Sequence, residues 1–186
     1  MDHSVIWVVG GTEHYGIILR SLDGGNTWES QGDSLLLDEY PLICVSAISG
    51  SNAWIVGHGY TVASTSNGGN SWELKVPDGL SRNPLSDDAN GVCALHQDWV
   101  LVTMDYGEAY LTEDGGQTWI KQSIPSSDFL LGTCALDTRY AWIAGLSASG
   151  GAGSIINTSN GGSSWSFQGI TGCMGLRDVS FVYAHH

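Results

Sequence analysis

Apolar residues recur along this chain in short alternating runs, each closed by a glycine-rich polar turn. The plainest runs are Trp7-Val-Val-Gly10, Trp54-Ile-Val-Gly57, Trp99-Val-Leu-Val102 and Trp142-Ile-Ala-Gly145. Three of them are preceded by a second alternating segment, at 44–48, 92–95 and 133–136. Runs of this length between Gly, Asn and Asp clusters predict strands and hairpins. No stretch spaces apolar residues at i, i+3, i+4 and i+7 between caps, so little helix is expected.

The turns repeat. Ser21-Leu-Asp-Gly-Gly-Asn-Thr-Trp28, Thr65-Ser-Asn-Gly-Gly-Asn-Ser-Trp72, Thr112-Glu-Asp-Gly-Gly-Gln-Thr-Trp119 and Thr158-Ser-Asn-Gly-Gly-Ser-Ser-Trp165 are one motif four times. Their tryptophans are 44, 47 and 46 residues apart, and those that open the apolar runs are 47, 45 and 43 apart. Two markers with one period define a unit of four short strands, which is a β-propeller blade. Within the turn, the Gly-Gly pair tolerates positive φ, and the side-chain oxygen before it accepts from backbone N–H groups. The tryptophan packs between sheets. Asp23, Gly25, Trp28, Asn67, Gly69, Trp72, Asp114, Gly116, Trp119, Asn160, Gly162 and Trp165 are therefore read as structural. The Asp, Asn, Asp, Asn alternation runs parallel to Thr, Ser, Thr, Ser before the tryptophan.

The turn resembles the Asp-box, or BNR repeat, of sialidases and sortilin-type receptors. The fuller pattern, Trp-Ile-Val-Gly followed by Thr-x-Asn-Gly-Gly-x-Ser-Trp, is similar to Ycf48-like propellers, a family of photosystem II assembly and stability factors. That resemblance covers nearly the whole chain and implies an all-β propeller of four-stranded antiparallel blades that binds a protein or peptide partner.

The repeat places the blades at about 1–40, 41–88, 89–129 and 130–174, within one domain over 1–183. The first lacks its innermost strand, and Leu176-Arg-Asp-Val-Ser-Phe-Val182 reads as that strand. Supplied from 175–183, it would hide an open edge. The chain then either closes on itself as a four-bladed ring, which effective concentration favours, or shares the strand with a second chain in an eight-bladed dimer. Residues 184–186 are read as a tag remnant.

Composition narrows the function. Charged residues make up 13% of the 186, glycines number 26, and 19 acids against 6 Lys and Arg give a net charge of −13. The six cations are scattered, which excludes the cationic cluster that nucleic acid demands. No apolar run approaches the ~20 residues of a membrane-spanning helix. Without a basic, apolar leader at the N-terminus, and with Cys44, Cys93, Cys134 and Cys173 far apart, free thiols and a cytoplasmic location are expected. No cofactor and no metal are expected, since zinc-type ligand spacing is absent.

Propellers bind on the face formed by the loops between strands two and three and by the connectors between blades. Here those loops hold Glu13, His14, Tyr15, His58, Tyr60, Asp105, Tyr106 and Glu108. The connectors add Arg82 and the acids Asp33, Asp38, Glu39, Asp78, Asp87, Asp88 and Asp128, together with Tyr40. An acid-and-tyrosine ring suits a cationic or polyhydroxylated partner. No catalytic residue is assigned. A glycoside hydrolase or carbohydrate-binding propeller is the alternative, with Glu13, Asp105 or Glu108 as carboxylates. Sialidase chemistry is disfavoured, because Arg82 is the one clear loop arginine among the four present.

Overall fold

Each apolar run pairs with its neighbours in chain order, because short turns let consecutive strands meet only as antiparallel hairpins. The structure is a computed structural model and describes residues 4–12, 14–32, 41–82, 87–126, 128–147, 152–173 and 175–181. The first sheet comprises β1 (Ile6–Thr12), β2 (Tyr15–Ser21) and β3 (Glu29–Ser30). The second comprises β4 (Leu42–Ala47), β5 (Ala53–Gly57), β6 (Thr61–Thr65) and β7 (Glu73–Leu74). The third runs through β8 (Ala89–Ala94), β9 (Val100–Met104), β10 (Ala109–Thr112) and β11 (Ile120–Lys121). The fourth is β12 (Phe129–Ala135), β13 (Ala141–Leu146), β14 (Ala152–Thr158) and β15 (Ser166–Thr171). Together they are the blades of an all-β propeller. A single 3-10 turn, Asp105–Gly107, is the one helical element among the described residues.

The inner strands β4, β8 and β12 start earlier than the alternation predicts. Each carries a bulge, at Ile43, Asn90 and Leu131, where the register slips by one residue. The extra residue breaks the period of two and hides the first part of the strand.

Three hydrophobic clusters join the sheets in sequence. Trp7 and Ile18 pack with Ile55 and Trp72, Trp54 and Val56 with Val92 and Val102, and Trp99 and Leu101 with Leu130 and Ile143. The box tryptophans of the second, third and fourth blades each seal the interface to the preceding blade. Trp72 stands edge-on to Trp7 at 5.8 Å, and Trp119 stands edge-on to Trp54 at 6.1 Å. Trp165 packs on the cluster of Trp99 and donates its indole N–H to Gln122 Oε1 at 3.2 Å. Arg20, just before the first box, donates to Gly50 O at 2.6 Å and Gly68 O at 3.0 Å, tying blade one to the next box.

Among the described residues the first sheet has three strands, and residues 175–181, expected to complete it, pair with none of them. They form no strand ladder and lie against the fourth blade, with Leu176 N–H donating to Gly145 O at 3.0 Å. No core cluster links the fourth sheet to the first among the described residues, while Arg177 and Asp178 share a cavity with Ile43 and Cys44 of β4. Trp28, by contrast, is 42% exposed and belongs to none of the three clusters.

The box alternation has a hydrogen-bonding cause. Asp23 Oδ1 accepts from Thr27 N–H at 2.8 Å and its Oδ2 from the Thr27 hydroxyl at 2.6 Å; Asp114 does the same with Thr118. In the asparagine boxes the oxygen accepts the same backbone N–H, while Nδ2 donates to the Ser71 or Ser164 hydroxyl. The hydroxyl thus switches from donor to acceptor between the two box types. The threonine hydroxyls and backbone N–H groups lower Asp23 and Asp114 from 3.8 to about 2. Stability from these carboxylates is present above the unfolded value and is lost as pH falls through the folded one. The melting temperature should therefore fall between about pH 4 and pH 2, and an Asp23→Asn, Asp114→Asn double variant should lose less of it over that window. Equal acid slopes in thermal melts of the two proteins would contradict this account.

Candidate ligand-binding face

The hairpins between strands two and three must reverse the chain in few residues, and two of them do so through tyrosine in the left-handed region. Tyr60 (φ 58°) and Tyr106 (φ 54°) occupy corresponding loops of the second and third blades. Such a conformation costs a non-glycine residue about 1–3 kcal/mol and is maintained only where the surroundings hold it. Here the next connector holds it. Tyr60 N–H donates to Asp87 O at 3.0 Å, and its hydroxyl donates to Asp87 Oδ2 at 2.9 Å. Gly107 N–H donates to Asp128 O at 2.7 Å, and the Tyr106 ring lies 5.2 Å from that of Phe129. Burial, then the Asp87 carboxylate, pushes the Tyr60 phenol well above its ordinary range.

Between these two loops the acids interlock. Asp88 Oδ1 is 3.1 Å from His58 Nδ1 and accepts from Gly59 N–H at 3.3 Å. Asp88 N–H donates to Asp105 Oδ2 at 3.2 Å, and Asn90 Nδ2 donates to Asp105 Oδ1 at 2.9 Å. Burial raises the Asp88 carboxyl above its ordinary value, against the opposing pull of His58. Glu108 pairs with Lys121 and accepts from the Tyr110 hydroxyl at 3.2 Å. The Glu108 contact in turn raises Lys121. Asp128 accepts from the Ser154 hydroxyl.

His58, Tyr60, Asp105 and Tyr106 thus fall on one continuous surface across the second and third blades, joined by Asp87 and Asp88. Glu108 lies just beyond Tyr106, bound to its own blade. Arg82 is turned to Thr61, with Nε donating to its hydroxyl at 3.0 Å. His14 and Tyr15 are exposed on the β1–β2 hairpin and join none of these pairs. Glu13, Asp33, Asp38, Glu39 and Tyr40 lie outside the described residues. Among the described residues no three His, Cys, Asp or Glu side chains converge as metal ligands would. Sequence reasoning missed Asn90 and Phe129. Asn90 had a signal, as a polar residue within an otherwise small and apolar strand; Phe129 had none.

The blades and their fourfold turn define the class, an Asp-box β-propeller. Within that class, the model of the photosynthesis system II assembly factor YCF48 family matches residues 1–127, and the chain belongs to this family. Its structure is similar to that of YCF48 bound to D1 peptide, with a TM-score of 0.63 at 21% identity, over 92% of this chain and 55% of that one. The chain therefore spans about half the length of that relative. It is also similar to an ancestral GH74 enzyme, with a TM-score of 0.62 at 12% identity, over 88% of this chain and 22% of that one. At these identities the two likenesses bear on fold. Among curated proteins none matches the sequence.

Proposed function

We propose that this chain is a noncatalytic scaffold of photosystem II assembly that holds an extended protein or peptide segment on the face around Tyr60 and Tyr106. Membership of an assembly-factor family carries this reading. The relative solved with D1 peptide supports a peptide as the class of partner. On the molecule itself, Tyr106 supports it: the residue is 57% exposed although its backbone is held in a costly conformation. An aromatic fixed at a surface loses little entropy on binding and offers apolar area with a polar tip. The acids behind it favour a peptide with cationic side chains.

The test is titration of the chain with a synthetic D1 peptide, followed by calorimetry. Saturable binding is expected, weakened about tenfold, or 1.4 kcal/mol, by Tyr106→Ala. The Thr138→Ala variant, at an exposed turn on the opposite side of the blades, should bind as the parent does. Absent binding, or equal affinity of parent and Tyr106→Ala, removes the reading.

A further inference from the structure

One position of the inner strands reaches across to the next blade. Ser46 of β4 lies opposite Trp54, Cys93 of β8 opposite Leu101 and Cys134 of β12 opposite Trp142, so the three correspond. Ser46 Oγ accepts from Ala94 N–H at 3.0 Å, and Cys93 Sγ accepts in the same way from Ala135 N–H at 3.1 Å. The contact therefore needs only an acceptor, which a serine supplies between the second and third blades. Between the third and fourth, the residues on both sides of it are thiols.

The two thiols are within reach of one another. Two residues back along both strands, a Cβ on Gly91 would lie 2.7 Å from Leu131 O and 3.4 Å from Gly132 Cα. From Gly91 and Gly132 onward each strand keeps a regular register, so the close approach carries through to 93 and 134. Cys93 Sγ sits on the peptide N–H that directly follows Cys134, and its thiol also hydrogen-bonds the Cys134 thiol. Both residues are half-buried, and neither is in a disulfide.

The other two cysteines are placed differently. Cys44 stands two residues before Ser46, at the position of Gly91 and Gly132, and lines the cavity between the inner strands. Cys173 follows β15, with its Sγ 3.5 Å from Gly175 O. A structural thiol at 93 needs no second thiol opposite it, as Ser46 shows.

We propose that Cys93 and Cys134 form a reversible dithiol–disulfide pair, oxidised by a small-molecule disulfide of the glutathione class, which locks the inner strands of the third and fourth blades together. Burial, above all, pushes the Cys93 thiol up to about 12, so it is protonated at neutral pH and Cys134 makes the first attack. The Cys134 sulfur bonds to one sulfur of the oxidant, whose own S–S bond breaks and whose other sulfur leaves as a thiolate. Cys93 then gives up its proton and attacks the Cys134 sulfur of the mixed disulfide, expelling the second thiolate. Its proximity offsets its small thiolate fraction in this intramolecular step. The two protein thiols lose two electrons to the oxidant, and their protons pass to the two thiolates released. The interface locked in this way also carries the Tyr106 loop, through the Phe129 ring and the bond from Gly107 N–H to Asp128 O.

The test is incubation of the folded chain with oxidised glutathione, followed by acid quenching, thiol counting and peptide mapping by mass spectrometry. Two of the four thiols should be lost, in a single linkage between residues 93 and 134 that dithiothreitol reverses. Cys93→Ser keeps an acceptor of the kind that Ser46 provides, and should hold one glutathione on Cys134 instead. The Cys44→Ser, Cys173→Ser double variant should form the linkage as the parent does. The oxidised chain should melt at a higher temperature than the reduced one. Four thiols that persist, a linkage from Cys44 or Cys173 to either residue, a bond that forms only in urea, or an oxidised chain that melts below the reduced one overturns the proposal.

Discussion

Trp54→Ala is expected to destabilise the chain by about 3–5 kcal/mol, the range for deleting a buried aromatic, whereas Trp28→Ala should cost far less. Both residues are conspicuous tryptophans of the same repeat, but their surroundings differ. Trp54 is 2% exposed and is packed by Val56 and Val62 of its own blade and by Val92 and Val102 of the next. The Trp119 ring stands edge-on against it. Its removal leaves a cavity at the interface of two blades, where sheets already fixed by their own ladders cannot collapse to fill the space. Trp28 carries the corresponding box but is 42% exposed and joins none of the core clusters. Urea denaturation separates the two outcomes. Equal midpoints for the two variants would mean that the interfaces between blades contribute little to stability.

What could be read in advance depended on whether the determining contacts were local. The box is local. Its two left-handed glycines (Gly115 at φ 73° and Gly116 at φ 78° in the third blade) and the side chains that bond its N–H groups all lie within a few residues. Four copies could therefore be counted from spacing alone, and the strands on either side followed. The bulges were not legible, because Ile43, Asn90 and Leu131 disturb an alternation without any turn residue to mark them.

The strand character of 176–182 shows in its pattern, but what it pairs with depends on packing between blades, which no local spacing encodes. The same distinction separates the parts of the ligand face. Tyr60 and Tyr106 are flagged by their place in corresponding loops. Their link through Asp87, Asp88, Asp105 and Asn90 arises from connectors that pack against hairpins of the preceding blade, and no sequence spacing encodes it. The reversal of the hydroxyl between Asp and Asn boxes lies between these cases. The covariation of two positions was visible, but its cause required the hydrogen-bond geometry.

Gly116→Ala should be markedly more destabilising than Gly115→Ala, although the two glycines are adjacent and share a left-handed backbone. Each substitution places a Cβ in a conformation that costs an L-residue about 1–2 kcal/mol. At Gly115 the new atom meets nothing closer than 3.6 Å. At Gly116 it would lie 2.9 Å from Trp54 Cη2 and 3.2 Å from the Lys75 stem. Lys75 can shift, but Trp54 is locked in the interface, so overpacking adds about 1–3 kcal/mol. The decisive experiment is a double-mutant cycle with Trp54→Ala. Truncating the tryptophan removes the obstacle, so Gly116→Ala should cost less in that background than in the parent, while Gly115→Ala should cost the same in both. Additivity at both glycines would place the tight contact between box turn and tryptophan outside the forces that hold consecutive blades together.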